Sequence, residues 1–325
     1  MSSSISKQFL INTSHYVGAN KFQYNFPQGR NLKLNSDSEI SVASCSIYNS
    51  TFNIKASWGN NSFVIFCESL ILASIPAGYE KGGNYTDPNN GTYINKKYVK
   101  IVIPDGYYDI SSLDAYLQQQ CQAIGFYLQS SNASSNMYFI DFITNPQRYS
   151  TQIDIFFIPT SLPTGFLMPS NSCFSLASGS AKTPFFYFPA PIANSKYGAL
   201  NDIFGFSNGA CLPFLPASAT TYSLSETQNL STKCPRVSPI ACYIMACNLV
   251  QNEIAIPDDL LLQLNLGESQ FGGIVKYQDF PQFITCKSIS TSSVILSFFD
   301  ENLNPLEFQD PQFSCVITLR QYAKK

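Results

Sequence analysis

The sequence predicts a mainly β fold, and three observations support this prediction. Ten segments have strand-like composition, clusters of Gly, Pro, Asn and Ser separate them, and only one segment has the apolar period of a helix. The strand candidates are residues 21–26, 39–48, 62–68, 98–103, 138–143, 152–158, 240–250, 273–277, 293–299 and 312–319. Ten strands are enough for two packed sheets, so we expect a β-sandwich.

The first eight residues precede these strands. Residues 1–8 are polar and rich in serine, a composition typical of a flexible terminus. We therefore predict an N-terminal arm over residues 1–8 that becomes ordered on assembly.

The predicted helix follows strand 98–103. Pro104 lacks a backbone donor and ends the strand, and Asp105-Gly106 then forms a tight turn. One apolar face defines the helix, made of Ile110, Leu113, Tyr116, Leu117, Cys121 and Ile124. Either Asp109 or Ser111 can cap the helix, and Asp114 forms a weak capping box with Ser111.

Residues 159–235 differ in character from the rest of the chain. Short aromatic runs lie there among Ser, Ala, Pro and Asn residues, and the segment shows little helix or strand periodicity. Two interpretations stay open, a set of long inter-strand loops folded over the sandwich or a small inserted subdomain, and we favour the loops. Phe185, Phe186 and Phe188 in this region are candidate residues of a subunit interface.

The last strand candidate has the clearest alternation. Phe313, Cys315, Ile317 and Leu319 fall on one face of the segment 312–319, while Ser314, Val316 and Thr318 fall on the other. The turn-rich residues 299–305 precede it, so we expect segment 293–299 to pair with it as a hairpin.

Composition restricts the possible partners. Only 12% of the 325 residues are charged and 14% are aromatic, which is typical of surfaces that other proteins cover, although a biased genome can contribute. The formal net charge of −2 disfavours a specific nucleic-acid partner. The apolar runs are too short for a membrane span.

The ten cysteines form no CxxC pair, so the spacing of a zinc site is absent. Several cysteines lie inside apolar strand segments, where a free thiol behaves as a small hydrophobic residue. We therefore expect a reduced, non-secreted protein.

Catalytic and cofactor-binding residues are not predicted. His15 is the only histidine and lies close to the N-terminus, where a catalytic base would lack a rigid support. The acidic pairs Asp300-Glu301 and Asp258-Asp259, and Asp105 with Asp109, lie in predicted turns, where Asp usually binds its own backbone. The sequence also lacks the glycine-rich and acidic motifs of nucleotide and calcium sites, so we predict no catalytic, cofactor or metal residues.

Three short motifs occur in an order that resembles the capsid proteins of the virophage, Polinton/Maverick and polinton-like virus lineage. They are Gly106 with Tyr108 before the helix, Phe204-Gly205-Phe206 in mid-chain, and the turn from Asp300 to Leu306 before the last strand. Phe204 stands where such motifs more often have Leu, and residues 159–235 match no pattern of the family. Major capsid proteins of this lineage resemble two fused jelly rolls, whereas this chain has one set of motifs. The resemblance therefore points to the penton, or minor capsid, protein.

The resemblance implies a single jelly-roll domain over residues 1–325, with one short helix after the IPDGYY turn and long inter-strand loops. It implies a homopentamer at the five-fold vertices of an icosahedral capsid, in contact with the major capsid protein of the same virion. Such a protein is located in the virion capsid after assembly in the reducing cytoplasm or viral factory of the host.

Other interpretations remain open. The chain could be another coat component, either a cement protein or a hexon-type single jelly roll. It could also be a carbohydrate-binding jelly roll with Trp58 in an exposed aromatic platform. An enzyme is the fourth alternative, but its residues are missing from the sequence.

Overall fold

Two stretches from opposite ends of the sequence fold together, and the residues between them form a second unit. The terminal unit contains Met1–Phe52 and Ile240–Lys325, and the inserted unit contains Asn53–Pro239. The computed structural model describes residues 4–132, 135–179, 182–193, 197–207, 209–213, 227–267, 269, 271–277 and 282–322.

The strands before the insertion are β1 (Ser4–Asn12), β2 (Tyr16–Gly18), β3 (Lys21–Asn25), β4 (Leu32–Lys33) and β5 (Ser38–Tyr48). Those of the inserted unit are β6 (Ser62–Phe66), β7 (Glu80–Gly82), β8 (Tyr85–Thr86), β9 (Tyr93–Ile94), β10 (Tyr98–Val102), β11 (Tyr127–Ser130), β12 (Met137–Tyr138), β13 (Ile140–Asn145), β14 (Ser150–Ile155), β15 (Phe166–Leu167), β16 (Phe185–Tyr187), β17 (Cys211–Leu212) and β18 (Thr227–Leu230). Those after the insertion are β19 (Cys242–Cys247), β20 (Leu260–Asn265), β21 (Ile274–Tyr277), β22 (Ile284–Thr285), β23 (Ser290–Thr291), β24 (Ser293–Phe299) and β25 (Phe313–Tyr322). The α-helices of the described residues are α1 (Ile110–Ile124) and α2 (Leu200–Phe204). Every predicted strand segment overlaps an observed strand.

The terminal unit is a sandwich of two antiparallel sheets. One sheet has the strand order β1-β25-β5-β21, with β22 also paired to β5, and the other has the order β2-β3-β24-β19-β20. Eight of these strands can be lettered B to I in chain order, namely β1, β3, β5, β19, β20, β21, β24 and β25. The two sheets then read B-I-D-G and C-H-E-F, and the chain crosses between them at nearly every connection, as in a jelly roll. The predicted fold class is confirmed, and the inserted unit lies between strands D and E in the chain.

Aromatic rings hold the two sheets of the sandwich together. The ring of Phe22 in β3 lies 4.5 Å from that of Phe313 in β25, and the ring of Phe298 in β24 lies 5.3 Å from Phe313. All three side chains are buried. Because Phe313 belongs to one sheet and the other two residues to its partner sheet, these contacts form part of the core between the sheets.

Strand β1 lies where a flexible arm was expected. It pairs antiparallel with β25 from Ser4 opposite Tyr322 to Asn12 opposite Ser314. Residues 4–8 of the predicted arm 1–8 are therefore part of a strand, while residues 1–3 lie outside the described residues. The partner strand is at the other end of the chain, so local sequence does not reveal this pairing.

The predicted hairpin of the last two strands is wrong, because β24 and β25 belong to different sheets. β24 pairs with β3 and β19, whereas β25 pairs with β1 and β5. The turn between them is built on the buried carboxylate of Asp300, which accepts hydrogen bonds from the backbone N–H groups of Asn302 at 2.9 Å and Asn304 at 2.7 Å. This turn carries the chain across the sandwich instead of folding it back within one sheet.

The inserted unit contains its own sheets and both α-helices. Its largest sheet has the order β17-β16-β6-β10-β7, and α1 packs against β13 of a second sheet with the order β13-β14-β18. Smaller sheets are formed by β12-β11-β15 and by β8-β9. The structure thus differs from the expectation of one domain with a loop-rich insertion at 159–235, because the compact insertion already begins at Asn53.

Helix α1 has the predicted position and buried face. Asp109 is its N-cap and accepts a hydrogen bond from the backbone N–H of Ser112 at 2.7 Å, and the helix ends at Gly125 with φ of 77°. The predicted capping box does not form, because Asp114 instead accepts a hydrogen bond from the backbone N–H of Phe142 at 2.7 Å. Asp114 therefore ties the helix to β13.

Candidate functional site

The predicted interface aromatics lie mainly inside the inserted unit. Strand β16 pairs with β6 on one side and β17 on the other, and Phe186 and Phe188 are completely buried. The ring of Phe186 lies 5.0 Å from that of Phe63, and the ring of Phe188 lies 5.2 Å from that of Phe204. This corrects the interface prediction for Phe186 and Phe188, which are core residues because their rings are packed among other rings of the inserted unit.

Phe185 is half-buried, and for this residue the interface role stays a prediction. The ammonium of Lys96 lies 4.4 Å from the centroid of the Phe185 ring, in a cation–π contact. Lys96 and Lys182 both pair with Glu68, at 3.7 Å and 3.3 Å. The hydrogen bond from Lys182 is the main cause of the lowered pKa of Glu68. The result is a partly exposed aromatic ring beside a charged cluster, whose ion pairs each contribute little stability because they face water.

The motif at Gly106 and Tyr108 fixes the turn before α1. The side chain of Asn53 donates hydrogen bonds to the carbonyl oxygens of Tyr108 at 2.7 Å and Val237 at 2.9 Å, and it accepts one from the backbone N–H of Tyr108 at 2.9 Å. Asn53 is buried and thereby joins the first, middle and last segments of the inserted unit. The sequence does not predict this role of Asn53, because an isolated Asn in an Asn-rich chain gives no signal.

The motif Phe204-Gly205-Phe206 ends the short helix α2. Gly205 has φ of 79°, and a β-carbon at this position would lie 2.2 Å from the carbonyl oxygen of Lys233. The glycine therefore meets two demands, a left-handed backbone and a close approach of another backbone segment. With the Asp300 turn, all three motifs of the resemblance lie at turns that direct the chain.

Two of the remaining polar candidates, His15 and Asp105, also bind backbone. His15 ends a 3-10 turn, and its Nδ1 accepts a hydrogen bond from the backbone N–H of Asn12 at 3.1 Å. Asp105 accepts one from the backbone N–H of Ala56 at 2.7 Å. Both side chains therefore fix the backbone of the segments that they contact.

Most of the thiols are buried among apolar side chains, as predicted. Cys45 and Cys315 lie opposite each other in the β5–β25 ladder, and Cys234 is exposed. Burial raises the pKa of Cys173 and of Cys247 to about 12. At neutral pH these two thiols therefore stay protonated, which makes them poor nucleophiles.

Trp58 does not form an exposed platform. Its side chain is only 8% exposed, and its ring lies 4.4 Å from that of Tyr197. The carbohydrate-binding alternative therefore loses the residue on which it depended.

Metal clusters and membrane-spanning helices are absent from the part of the chain that the structure describes. There, no group of three or more His, Cys, Asp and Glu side chains is arranged to hold a metal ion. Among the same residues, no helix has the length and apolar character that a membrane crossing requires.

The topology thus defines a jelly-roll sandwich with a separate unit inserted between strands D and E. The chain is similar to the mavirus penton protein, with a TM-score of 0.40 and 10% sequence identity over 98% of this chain and 99% of that one. It is also similar to a chain in the cryo-EM structure of the Sputnik virophage, with a TM-score of 0.35 and 12% identity over 97% of each chain. Comparisons with models of protein families and with curated proteins gave no match.

Proposed function

We propose that this protein is a structural component of a virus capsid and that five copies of it close each five-fold vertex. The observation that carries the proposal is the combination of a jelly roll with the three capsid-like motifs, each placed at a turn of the chain. A jelly roll alone also occurs in lectins and cupins, so the fold by itself does not decide the function. The motif order is what favours a capsid protein.

The sandwich suits a geometric role. Its two sheets share an aromatic core, which makes the unit a rigid body, and five identical rigid bodies can close a ring through head-to-tail contacts. The charge-poor composition of the chain fits extensive coverage by other proteins. In this role the protein needs no catalytic residue and no cofactor.

The two chain segments that flank the insertion are hydrogen-bonded to each other within the jelly roll. The hydroxyl of Tyr243 donates a hydrogen bond to Oδ1 of Asn49 at 2.9 Å, and both residues are buried. Asn49 precedes the insertion and Tyr243 follows it. We infer that the jelly roll makes the contacts within the shell, including those with the major capsid protein of the same virion.

The native mass of the purified protein tests the vertex role. We expect a species of five chains by native mass spectrometry and five-fold rings in negative-stain images at matched concentration. A stable monomer or trimer would contradict the vertex role and favour a cement protein or a hexon-type coat protein. Binding to glycans without ring formation would favour a carbohydrate-binding module.

A further inference from the structure

The loop between strands E and F exposes two apolar side chains to an unusual degree. Ile254 is 97% exposed and Ile256 is 87% exposed. Glu253 and Asp258 beside them are also exposed. We call these four residues the acidic tip.

The acidic tip is held in shape by backbone hydrogen bonds. The N–H of Asn252 donates to the carbonyl oxygen of Asp258 at 2.7 Å, and the N–H of Ala255 donates to that of Asn252 at 3.1 Å. The base of the loop is tied down by a bond of 2.9 Å from the N–H of Gln251 to the carbonyl oxygen of Thr285. A fixed loop loses little conformational entropy on binding, so the two isoleucines are well placed to dock on another surface.

A second apolar surface of the terminal unit has the opposite charge. Strand β1 is an edge strand of its sheet, and Ile5, which is 59% exposed, and the exposed Lys7 lie on the same face of the strand. We call these two residues the basic edge. Arg320, opposite Ser6 on the neighbouring strand, pairs with Glu39 at 3.9 Å, so Lys7 carries the positive charge of the basic edge.

The acidic tip and the start of the basic edge lie at the same end of the sandwich but on opposite sides of it. In the sheet that contains β1, Gln321 of β25 lies between two partners, Ile5 of β1 on one side and Ser38 of β5 on the other. The N–H of Cys286 donates to the carbonyl oxygen of Ser38, and Cys286 is opposite Val250 at the base of the loop. This path crosses the width of the sheet, so the two surfaces are separated by about four strand spacings, roughly 20 Å.

We propose that the acidic tip of one copy docks on the basic edge of the next copy. The two surfaces are apolar, opposite in charge and located at one end of the sandwich on opposite flanks. A contact between two different surfaces of identical subunits is head-to-tail, which is the kind of contact that closes a ring. The inference rests on the proposed vertex function and assigns its subunit contact.

The first test removes the apolar part of the tip. We expect Ile254→Ser with Ile256→Ser to raise the Kd between subunits by about 100-fold in sedimentation velocity, because two buried isoleucines are lost from the interface. Both side chains are exposed, so the variant should fold. The control is Val17→Ser, which changes a residue that is 58% exposed in β2, away from both surfaces, and should leave the Kd unchanged.

The second test reverses charges. Lys7→Glu and Glu253→Lys should each weaken association, and the double variant should recover most of it if the two side chains meet across the interface. Lys21→Glu, an exposed lysine of β3, is the charge control. Association of the double variant no stronger than that of the single variants would overturn the assigned contact.

The outcomes separate this inference from the proposed function. A pentamer that is insensitive to the Ile254 and Ile256 substitutions keeps the vertex role and overturns the docking contact. A ring of another size that is sensitive to them keeps the contact and contradicts the vertex role. A wild-type chain that stays monomeric at roughly millimolar concentration overturns the contact as proposed.

Discussion

At the scale of single residues, burial decides what an aromatic side chain does. Phe185, Phe186 and Phe188 belong to one aromatic run, yet the first is half-buried beside Lys96 and the other two are completely buried. The run alone could not distinguish an interface from a core, because large apolar side chains serve both. The packing makes that distinction: Phe186 and Phe188 belong to the large core of the inserted unit, whereas Phe185 lies against a smaller cluster.

We predict that Phe186→Ala lowers the free energy of unfolding of the inserted unit by about 3–5 kcal/mol, because it leaves a cavity among packed rings. Equilibrium denaturation in urea measures this loss. Phe185→Ala is the matched control from the same strand, and its effect should be clearly smaller because the ring is partly exposed. Equal effects of the two substitutions would contradict the core assignment of Phe186.

At the scale of elements, the strongest local signals predicted the structure correctly, whereas the features that the sequence did not predict depend on distant partners. The Asp109 cap, the apolar face of α1 and the alternation of β25 are all local and were all found. Strand β1 was missed because a polar, serine-rich segment becomes a strand only when β25 supplies the hydrogen bonds. Helix α2 was missed because it has only five residues.

The turn at Gly205 allows a test at the scale of elements. We predict that Gly205→Ala destabilises the inserted unit by more than about 2 kcal/mol, because the added carbon meets the carbonyl oxygen of Lys233 and the left-handed backbone adds strain. Thermal or urea denaturation measures the loss.

Gly209 provides the matched control for this substitution. Its φ of 69° is also left-handed, but no atom lies within 4 Å of an added β-carbon. Gly209→Ala should therefore cost only the backbone strain, about 1–2 kcal/mol. Equal costs at both positions would show that the contact with Lys233 does not matter.

At the scale of the whole molecule, buried thiols couple stability to alkaline pH. The pKa of Cys247 is raised by burial from 9.0 to about 12. Below pH 9 the thiol is protonated in both the folded and the unfolded chain, so its stabilising effect is fully present. Between pH 9 and about 12 the unfolded chain loses the proton and the folded chain keeps it, so stability falls as pH rises.

We predict that the free energy of unfolding of the terminal unit decreases by about 1.4 kcal/mol per pH unit for this thiol between pH 9 and 11. Urea denaturation at a series of pH values measures the slope. Cys247→Ala should remove the contribution of one proton from the slope, about 1.4 kcal/mol per pH unit. Cys234→Ala, at an exposed cysteine, is the control and should leave the slope unchanged. An unchanged slope in Cys247→Ala would contradict the assignment.

The sequence by itself determined the mainly β class, most of the longer strands, the single long helix and the turns that carry the capsid-like motifs. These features depend on local periodicity and turn chemistry, which neighbouring residues fix. Only the tertiary structure decided the pairing of β1, the separation of β24 from β25, the start of the insertion at Asn53 and the exposure of Ile254 and Ile256. Each of these depends on which distant segments share a sheet, and strand pairing between distant segments leaves little trace in either local sequence.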